Sequence, residues 1–378
     1  MSRKRMAVAF APLLVLMAVA LSTTAGAAPR ATPLAQLAKE LELAKAPPAF
    51  KPFGGPINIS SLRGKKITFV PFAASPQNQV IGDTMKRIGK LKRVGVNVTV
   101  CNNRGTPAEW NQCLQQAVTT KQDLVVLNGA PVAVGPALQA LKAARIPVLS
   151  QHYFPEGVSV TSAACVGCAA GITAVQPAPF ARAAKLMADW AIVDSKGKAN
   201  VLITILPGFA PTDAMVAQFK REFAKCSGCT YEFLNSSVQD LLGTGFQTAV
   251  AAALNKNPNI RYIIEEVAIG VPATIAALNI TGRTNVKIAT RGGDTGEFAL
   301  LQQGTALQMD VGGPSLWIAY LSMDNAFRIL LGKPANPAPN PVRVFTRANV
   351  KVVGDPPSTY RGYGYGYIRG YLKLWGIG

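Results

Sequence analysis

Residues 122–150 read QDLVVLNGAPVAVGPALQALKAARIPVLS, and this stretch decides the fold. An apolar run at 123–128 is followed by a helical pattern at 134–144, and a second apolar run follows at 147–150. Strands buried on both faces of a parallel sheet read as continuous apolar runs, and a helix between two of them makes a right-handed crossover. The stretch therefore predicts one strand–helix–strand unit of an α/β protein.

The same alternation extends through both halves of the chain. Apolar runs predict strands at 65–71, 94–101, 123–128, 147–150, 200–206, 230–235, 261–265, 286–290 and 306–311. Amphipathic patterns predict helices at 75–92, 107–120, 134–144, 179–194, 213–225, 244–255, 272–278, 296–304 and 315–331. We expect two doubly wound parallel-sheet lobes, with a ligand cleft at the carboxyl ends of their strands.

The first 27 residues have the pattern of an export signal. Arg3, Lys4 and Arg5 precede an apolar run at 6–21, and Ala25-Gly26-Ala27 offers small residues for cleavage. The sequence therefore predicts a periplasmic or secreted protein. A retained anchor stays open, although the run is shorter than the roughly 20 residues that usually span a membrane. No cysteine follows the signal, so we expect no lipid anchor.

The chain is strongly basic, with a formal net charge of +20. The signal contains three positive residues and no acid, so the chain without the signal would carry a net charge of +17. Such a charge attracts anionic surfaces and acidic ligands, or it suits the surroundings of the protein. The basic residues are scattered apart from one short cluster, Lys86, Arg87, Lys90, Lys92 and Arg93. On a helix such a cluster is typical of a solvated face, and we find no nucleic-acid module.

The six cysteines form three close pairs. They are Cys101 with Cys113, Cys165 with Cys168, and Cys226 with Cys229. An even count, local spacing and predicted export together favour structural disulfides. Two of the pairs are C-x-x-C motifs, so a four-thiolate zinc site and redox chemistry remain as alternatives.

Four stretches of the chain resemble the type I periplasmic binding proteins, the ribose- and galactose-binding group of ABC-transporter receptors. Residues 122–149 are similar to the strand, helix and strand in which that family ends its helix with A-G-I-P-V. Residues 257–264, NPNIRYII, resemble its H-P-D-I-D-A-V-F, and 284–293, TNVKIATRGG, resemble its T-D-V-K-V-V-G-F-D-G. Residues 326–334, AFRILLGKP, resemble its last-helix ending. The resemblance covers residues 65–353.

The resemblance implies two lobes joined by three crossings, near 153–158, 311–314 and 331–340. Lobe 1 would hold 65–155 with 313–332, and lobe 2 would hold 156–312 with 340–353. Residues 28–64 are expected to form a leader and a Pro/Gly linker. Residues 354–378 form a tail rich in aromatic residues and glycine. That tail either folds back over a lobe or presents its rings to a glycan, a membrane or another chain.

The expected cleft differs from that of the sugar binders. Where the family has Asp-Arg after the fourth strand, this chain has Gln151 and His152, and Gly292 replaces the family's Asp in G-F-D-G. A simple pentose or hexose ligand is therefore in doubt. The predicted ligand-binding residues are Phe72, Ser75, Asn78, His152, Tyr153, Phe209, Glu266, Arg291, Asp294 and Trp317.

Two of these residues have competing interpretations. Arg291 either clamps a carboxylate or phosphate in fork geometry or pairs with Glu265, Glu266 or Asp294. His152, the single histidine, is either a pH-sensitive ligand contact or a satisfied loop residue.

The predicted function is capture of a sugar-like or other small polar or aromatic molecule and its delivery to the permease of an ABC transporter. A receptor that feeds a chemoreceptor or sensor kinase is the alternative. No hydrolase, zincin or nucleotide-binding motif is present, and one histidine leaves little for catalysis, so we expect no enzyme, cofactor or metal. We also expect a monomer. Nucleic-acid binding is not expected, because an export signal stands where repressor relatives carry a DNA-binding motif.

Overall fold

The structure is a computed structural model, and it describes residues 33–378. The predicted signal and the first residues of the leader lie outside the described residues. Ala31–Gly378 forms one compact unit. None of the helices in the described part of the chain has the length and apolar character needed to cross a membrane.

The first half of the chain builds a parallel sheet of five strands in the order β2-β1-β3-β4-β5. The strands are β1 (Lys66–Val70), β2 (Asn97–Val100), β3 (Leu124–Leu127), β4 (Val148–Pro155) and β5 (Ala174–Ala178). The helices are α1 (Leu34–Ala44), α2 (Pro76–Gly89), α3 (Pro107–Thr119) and α4 (Gly135–Ala143). Helices α2 and α3 begin where the sequence favours it, because Ser75 and Thr106 cap them and a proline follows each cap.

The second half builds a sheet of six strands in the order β11-β10-β9-β8-β6-β7, in which only the pair β10 and β11 is antiparallel. The strands are β6 (Asn200–Ile205), β7 (Thr230–Asn235), β8 (Tyr262–Glu265), β9 (Lys287–Thr290), β10 (Leu307–Gly312) and β11 (Arg343–Thr346). The helices are α5 (Phe180–Asp194), α6 (Ala210–Phe223), α7 (Val238–Leu242), α8 (Gly245–Lys256), α9 (Val271–Ile280), α10 (Thr295–Gln303), α11 (Ser315–Leu330), α12 (Thr359–Tyr363) and α13 (Gly366–Leu374). The predicted α/β class with two parallel-sheet lobes is confirmed.

The first crossing between the lobes differs from the prediction. Strand β5 pairs with β4, from Leu149 with Ala174 to Pro155 with Ala178, so it belongs to the first sheet. The chain therefore passes to the second sheet between Ala178 and Phe180, later than the predicted crossing at 153–158. The predicted boundary after residue 155 is wrong, because residues 156–173 lead into a strand of the first sheet.

Helix α11 returns the chain from the second sheet to the first. It follows β10 after Gly312 and Gly313 and packs against α2 and against β3, β4 and β5. Most of its residues are buried, from Ser315 at its start to Arg328 in its last turn. A helix that is buried all round lies in a core, and here it lies between the first sheet on one side and the leader and tail on the other.

The leader contacts both lobes. Helix α1 packs on α5 of the second lobe, where Glu40 forms an ion pair of 2.6 Å with Lys185. The linker after α1 packs on the first lobe, where the ring of Phe50 lies 6.2 Å from that of Trp317, measured between centroids. Within a few residues the leader thus passes from one lobe to the other.

The tail also contacts both lobes. Tyr363 is buried against Phe298 and Phe345 of the second lobe. Farther along, Tyr367 stacks on Trp317 of α11 with ring centroids 4.4 Å apart. The tail therefore folds back on its aromatic rings, and four of them, from Tyr363 to Trp375, are buried instead of being presented to a partner.

Leader and tail meet in a polar network around α11. The Trp375 indole N–H donates to Asp324 Oδ1 at 2.8 Å, and Arg328 Nε donates to Asp324 Oδ2 at 2.7 Å. Arg328 also donates to the backbone carbonyl of Phe53 at 2.7 Å. One buried ion pair thereby holds the leader, α11 and the tail together.

All six cysteines form disulfides in the predicted pairs, so this prediction is confirmed. Their Cα–Cα distances are 5.8, 5.4 and 5.4 Å, within the usual range for such bonds. The zinc alternative fails because sulfur atoms bonded to each other are not thiolate ligands. Neither C-x-x-C pair stands at the start of an α-helix, as a thioredoxin-like motif would.

Trp375→Ala tests whether the tail is part of the core. The substitution removes a ring that is 1% exposed, and we expect it to lower the free energy of unfolding by about 3–5 kcal/mol. The measurement is urea denaturation followed by circular dichroism. Tyr365→Ala is the matched control, because that ring is 55% exposed and its loss should cost less than about 0.5 kcal/mol. Equal losses in the two variants would contradict a structural tail.

Candidate functional site

The candidate site lies where the carboxyl ends of the two sheets face each other. Phe72 follows β1, and His152 and Tyr153 lie near the end of β4. On the second lobe Phe209 follows β6 and Arg291 follows β9. Because parallel strands end at one edge of each sheet, these side chains come from distant parts of the sequence to one cleft.

Aromatic side chains close one part of this cleft. The rings of Phe72 and Phe209, one from each lobe, meet edge to face with centroids 5.4 Å apart. Phe72 also lies 5.3 Å from the ring of Trp110, whose indole N–H donates to the Phe72 carbonyl at 2.9 Å. Tyr153 belongs to the same apolar cluster, and burial raises its pKa. The lobes are therefore in contact across the cleft.

Arg291 is the central charged residue of the site. Its guanidinium lies over the ring of Phe180, with 4.9 Å between Cζ and the ring centroid. The side chain is half-buried, and its Nε has no hydrogen-bond partner among residues 33–378. No ion pair within 4.0 Å links it to a described carboxylate, although the charge of Glu266 acts on it, so the expected close pairing with Glu265, Glu266 or Asp294 is not seen among residues 33–378.

His152 also lies against Phe180. Its ring centroid is 5.5 Å from that of Phe180, and its Nδ1 is 3.1 Å from Asn340 Oδ1. Nε2 is buried without a partner in the described part of the chain. The residue has a φ of +53°, in the left-handed region that favours glycine. Backbone strain of this kind is often kept at ligand sites, where it holds a side chain in a required position.

The surroundings of His152 disfavour its charged form. Burial is the main cause that lowers its pKa to about 3, and the charge of Arg291 acts in the same direction. The hydrogen bond with Asn340 opposes this shift only in part. A pKa of about 3 favours a neutral ring at neutral pH, and Nε2 has no hydrogen-bond partner among residues 33–378.

Four buried carboxyl groups lie near the strand ends of the second lobe, and the charges of two of them, Glu266 and Asp310, act on Arg291. Burial raises the pKa of Glu265 and that of Asp294 to about 7 each. Burial also raises the pKa of Glu266 and places that of Asp310 well above its ordinary value. A raised pKa lowers the ionised fraction of a carboxyl group, so Glu266 and Asp310 compensate the Arg291 charge less than carboxylates with ordinary pKa values would.

Glu266 and Asp294 have clear roles in holding the site together. Glu266 accepts hydrogen bonds from the Leu206 N–H at 2.7 Å and from the Thr212 hydroxyl at 2.6 Å. It thereby fixes the loop that carries Phe209. Asp294 Oδ2 accepts from the Ser315 hydroxyl at 2.6 Å, while its Oδ1 is buried without a described partner.

The loop that carries Arg291 requires glycine at its tip. Gly293 has a φ of +97°, and a Cβ there would collide with Gly312 at the end of β10. The Gly292 N–H donates to Asp310 Oδ1 at 2.8 Å. The close approach of these two strand ends fixes where Arg291 enters the cleft.

Three of the predicted residues have other positions or roles. Trp317 is buried between Tyr367 and Phe50, so the leader and tail cover it. Ser75 caps α2 by accepting from the Asn78 N–H at 3.3 Å, and the Asn78 amide donates to the Ala73 carbonyl at 2.9 Å. Trp317 is therefore not brought to the cleft, and Ser75 and Asn78 shape the loop after β1.

Sequence reasoning missed Phe180, Asn340 and Asp310. Phe180 follows β5, a short strand that contains Pro177 and was not predicted, because proline within a run argues against a strand. Asn340 lies in an irregular crossing segment without a pattern of its own. Asp310 is near the carboxyl end of a predicted strand, and that position could have identified it as a candidate site residue.

The fold and this cleft define a two-lobed ligand-binding protein, and comparison with known proteins agrees. The family model described as "Periplasmic binding protein domain" matches residues 68–334. The chain therefore belongs to the periplasmic binding protein family. A search of curated proteins finds no match.

Solved structures of low sequence identity share the fold. An ABC-transporter solute-binding protein from Agrobacterium vitis with bound α-D-tagatopyranose has a TM-score of 0.67 at 15% identity, covering 76% of this chain and 96% of that one. A glucose-galactose binding protein from Geobacillus stearothermophilus has a TM-score of 0.64 at 16% identity, with coverage of 76% and 98%. The fructose-binding periplasmic domain of a hybrid two-component system has a TM-score of 0.67 at 15% identity, with coverage of 82% and 99%.

Glu265→Gln tests the electrostatic cost of the buried carboxyls. Glu265 accepts hydrogen bonds from Thr204 and Thr274, and its folded pKa of about 7 exceeds its ordinary value of 4.5. Its contribution to stability is therefore present below pH 4.5 and is lost as the pH rises to about 7. The substitution should remove a decline of about 3 kcal/mol over this interval, measured by urea denaturation at several pH values.

The lowered pKa of His152 also makes stability depend on pH, but in the opposite direction, because it reduces stability as the pH falls below 6.5. Comparing Glu265→Gln with the wild type cancels this effect, since both proteins carry His152. Asp83→Asn is the control, since Asp83 is 56% exposed. An unchanged pH dependence in Glu265→Gln would show that Glu265 does not carry the predicted shift.

Proposed function

We propose that this protein is an extracytoplasmic solute-binding protein that captures a small molecule between its two lobes and delivers it to an ABC transporter. The observation that carries the proposal is that Arg291 Nε and His152 Nε2, in two side chains that both lie against Phe180, are buried without hydrogen-bond partners among residues 33–378. Buried polar atoms are usually hydrogen-bonded, so a group of atoms without partners marks a place for a ligand.

The ligand that fits this site is polar, with an apolar face. Arg291 offers a planar fork of N–H donors to a carboxylate, a phosphate or neighbouring hydroxyls. The neutral imidazole of His152 offers one nitrogen for a further hydrogen bond. The rings of Phe72 and Phe209 offer apolar surface from both lobes. Sugars, sugar acids and small aromatic acids share these properties.

Capture rests on an equilibrium between open and closed lobes. A ligand that contacts Arg291 on the second lobe and His152 on the first makes all its contacts only when the lobes are closed. Binding therefore shifts the population toward the closed form, which the receiving protein recognises. The residues act by binding and closure, and the proposal includes no chemical step.

A sensory role is the second candidate. It is supported by the similar structure of a fructose-binding periplasmic domain that belongs to a hybrid two-component system. The same closed shape would then be read by a sensor kinase in place of a permease. Co-purification of the membrane partner separates the two roles, since transport requires a permease and an ATPase.

A thermal-shift screen of residues 31–378 tests the capture of a small molecule. Matched pairs form the panel: galactose with galacturonate, glucose with gluconate, and benzyl alcohol with benzoate, together with nucleosides and amines. A ligand at about 100 times its dissociation constant stabilises by roughly 2.7 kcal/mol, which raises Tm by several degrees. Saturable stabilisation by at least one compound is the expected result. A flat response across the panel would count against the proposal.

Arg291→Gln tests the role of the guanidinium. Loss of a charge-assisted hydrogen bond costs about 2 kcal/mol, so the Kd of the best acid in the panel should rise roughly thirtyfold. Its neutral counterpart should change little, and Arg347→Gln, at an exposed position outside the cleft, should change neither. Calorimetric titration measures both values. An unchanged Kd for the acid in Arg291→Gln would exclude this role for Arg291.

A further inference from the structure

The amino ends of the strands in the first sheet carry a surface that ligand capture does not use. The segments that enter β1, β2, β3 and β4 hold nine basic residues: Arg63, Lys65, Lys66, Lys90, Lys92, Arg93, Lys121, Lys142 and Arg145. We call this surface the basic edge. Within these segments Asp123 is the one acid, and it pairs with Lys65 at 2.7 Å.

The strand register brings these residues to one edge of the lobe. Lys66 at the start of β1 is level with Asn97 at the start of β2, and Ile67 is level with Leu124 at the start of β3. The side chain of Arg63 reaches the next segment and donates to the Lys92 carbonyl at 2.8 Å. The charges therefore form one surface although they are separated in the sequence.

The basic edge is exposed and is not neutralised. All its members except Lys65 are exposed, and none of those eight forms an ion pair with a described carboxylate. The nearest acid on α2, Asp83, pairs with Lys86 at 3.5 Å. Basic residues at a helix C-terminus offset the helix dipole, but this does not explain Arg63 and Lys66, which precede a strand.

Apolar groups are mixed with these charges. Leu91 is 39% exposed between Lys90 and Lys92. An open groove of about 610 Å³ lies between Arg63, Arg93 and Ile377. A basic surface that includes an exposed leucine is typical of proteins that lie on an anionic lipid surface, where the charges meet headgroups and the leucine enters the interface.

We propose that the basic edge binds the anionic headgroup surface of a lipid membrane. The edge lies at the amino ends of the strands and the cleft lies at their carboxyl ends, so a protein bound in this way keeps its cleft open to solvent. Charge complementarity and the exposed Leu91 favour a lipid surface over a soluble polyanion. This proposal does not depend on the identity of the captured ligand.

The test compares two variants of residues 31–378 with equal net charge, using a fragment without the apolar N-terminal run. Lys90→Glu/Lys92→Glu/Arg93→Glu changes the basic edge, and Lys198→Glu/Lys256→Glu/Lys351→Glu changes exposed lysines near the second sheet. Each is sedimented with vesicles of 30% phosphatidylglycerol in phosphatidylcholine at 0.1 M NaCl. We expect the first variant to lose at least tenfold in partition coefficient and the second less than threefold.

Further arms separate the competing explanations. Vesicles of phosphatidylcholine alone should bind none of the proteins, and 0.5 M NaCl should release the wild type from the anionic vesicles. Equal losses of partition coefficient in both variants would show that net charge alone accounts for vesicle binding, and this would overturn the proposal. Polyphosphate could also be added at the same concentration of negative charge as the vesicle lipid. If it displaced the protein from the vesicles, the result would point to a soluble polyanion and would also overturn the proposal.

A footprint on the unmodified sequence completes the test and does not rely on variants that fold. Acetylation of lysines in the presence of anionic vesicles, read by mass spectrometry, should slow at Lys90 and Lys92 and stay unchanged at Lys198. Equal rates at the three lysines would overturn the proposal even if the protein sediments with the vesicles.

Discussion

The buried ion pair between Asp324 and Arg328 ties helix α11 to both ends of the chain. Asp324 accepts from Trp375 in the tail, and Arg328 donates to the Phe53 carbonyl in the linker. Removing one partner of a buried ion pair leaves an uncompensated charge and typically costs several kcal/mol. The position of α11 on the first sheet, and with it the passage from β10 to the first lobe, therefore depends on contacts from segments outside the matched residues 68–334.

Both the positions of the strand ends and the burial of charged groups determine the properties of the cleft. Parallel strands bring Arg291 and His152 to facing edges, and the Phe180 ring lies against both of them. Burial favours neutral carboxyl groups and a neutral imidazole around a guanidinium that stays charged. The site is thus prepared for negative charge or for oxygen-rich groups before any ligand arrives. Polar atoms that are buried here without hydrogen-bond partners among residues 33–378 lower the stability of the unliganded protein.

Much of the fold was predictable from the sequence, because strands buried on both faces leave continuous apolar runs. The run at 123–128 predicted β3, and the runs that follow predicted β6 to β10. Strand β5 was not predicted, since Ala174–Ala178 contains a proline and no strong β-former pattern. That single omission moved the first crossing and concealed Phe180.

The candidate site was predictable in part for a similar reason. Strand ends are visible in a sequence, so Arg291, His152 and Phe209 were assigned to the cleft. Which partner a side chain takes depends on contacts between distant segments. Trp317 was assigned to the cleft because it begins a crossing helix, but the tail and leader cover it. Nothing near Trp317 in the sequence indicates that Tyr367 would stack on it.

The meeting of leader and tail has a consequence for the order of folding. The Ile57 N–H donates to the Leu374 carbonyl at 2.7 Å, so the linker after α1 and the tail share a backbone hydrogen bond. The first sheet is synthesised early, yet α11 and Trp375, which complete its core, are made last. The core of the first lobe is therefore complete only when these later segments have packed on it. Contacts so distant in sequence form slowly, so we expect this packing to be a late step in folding.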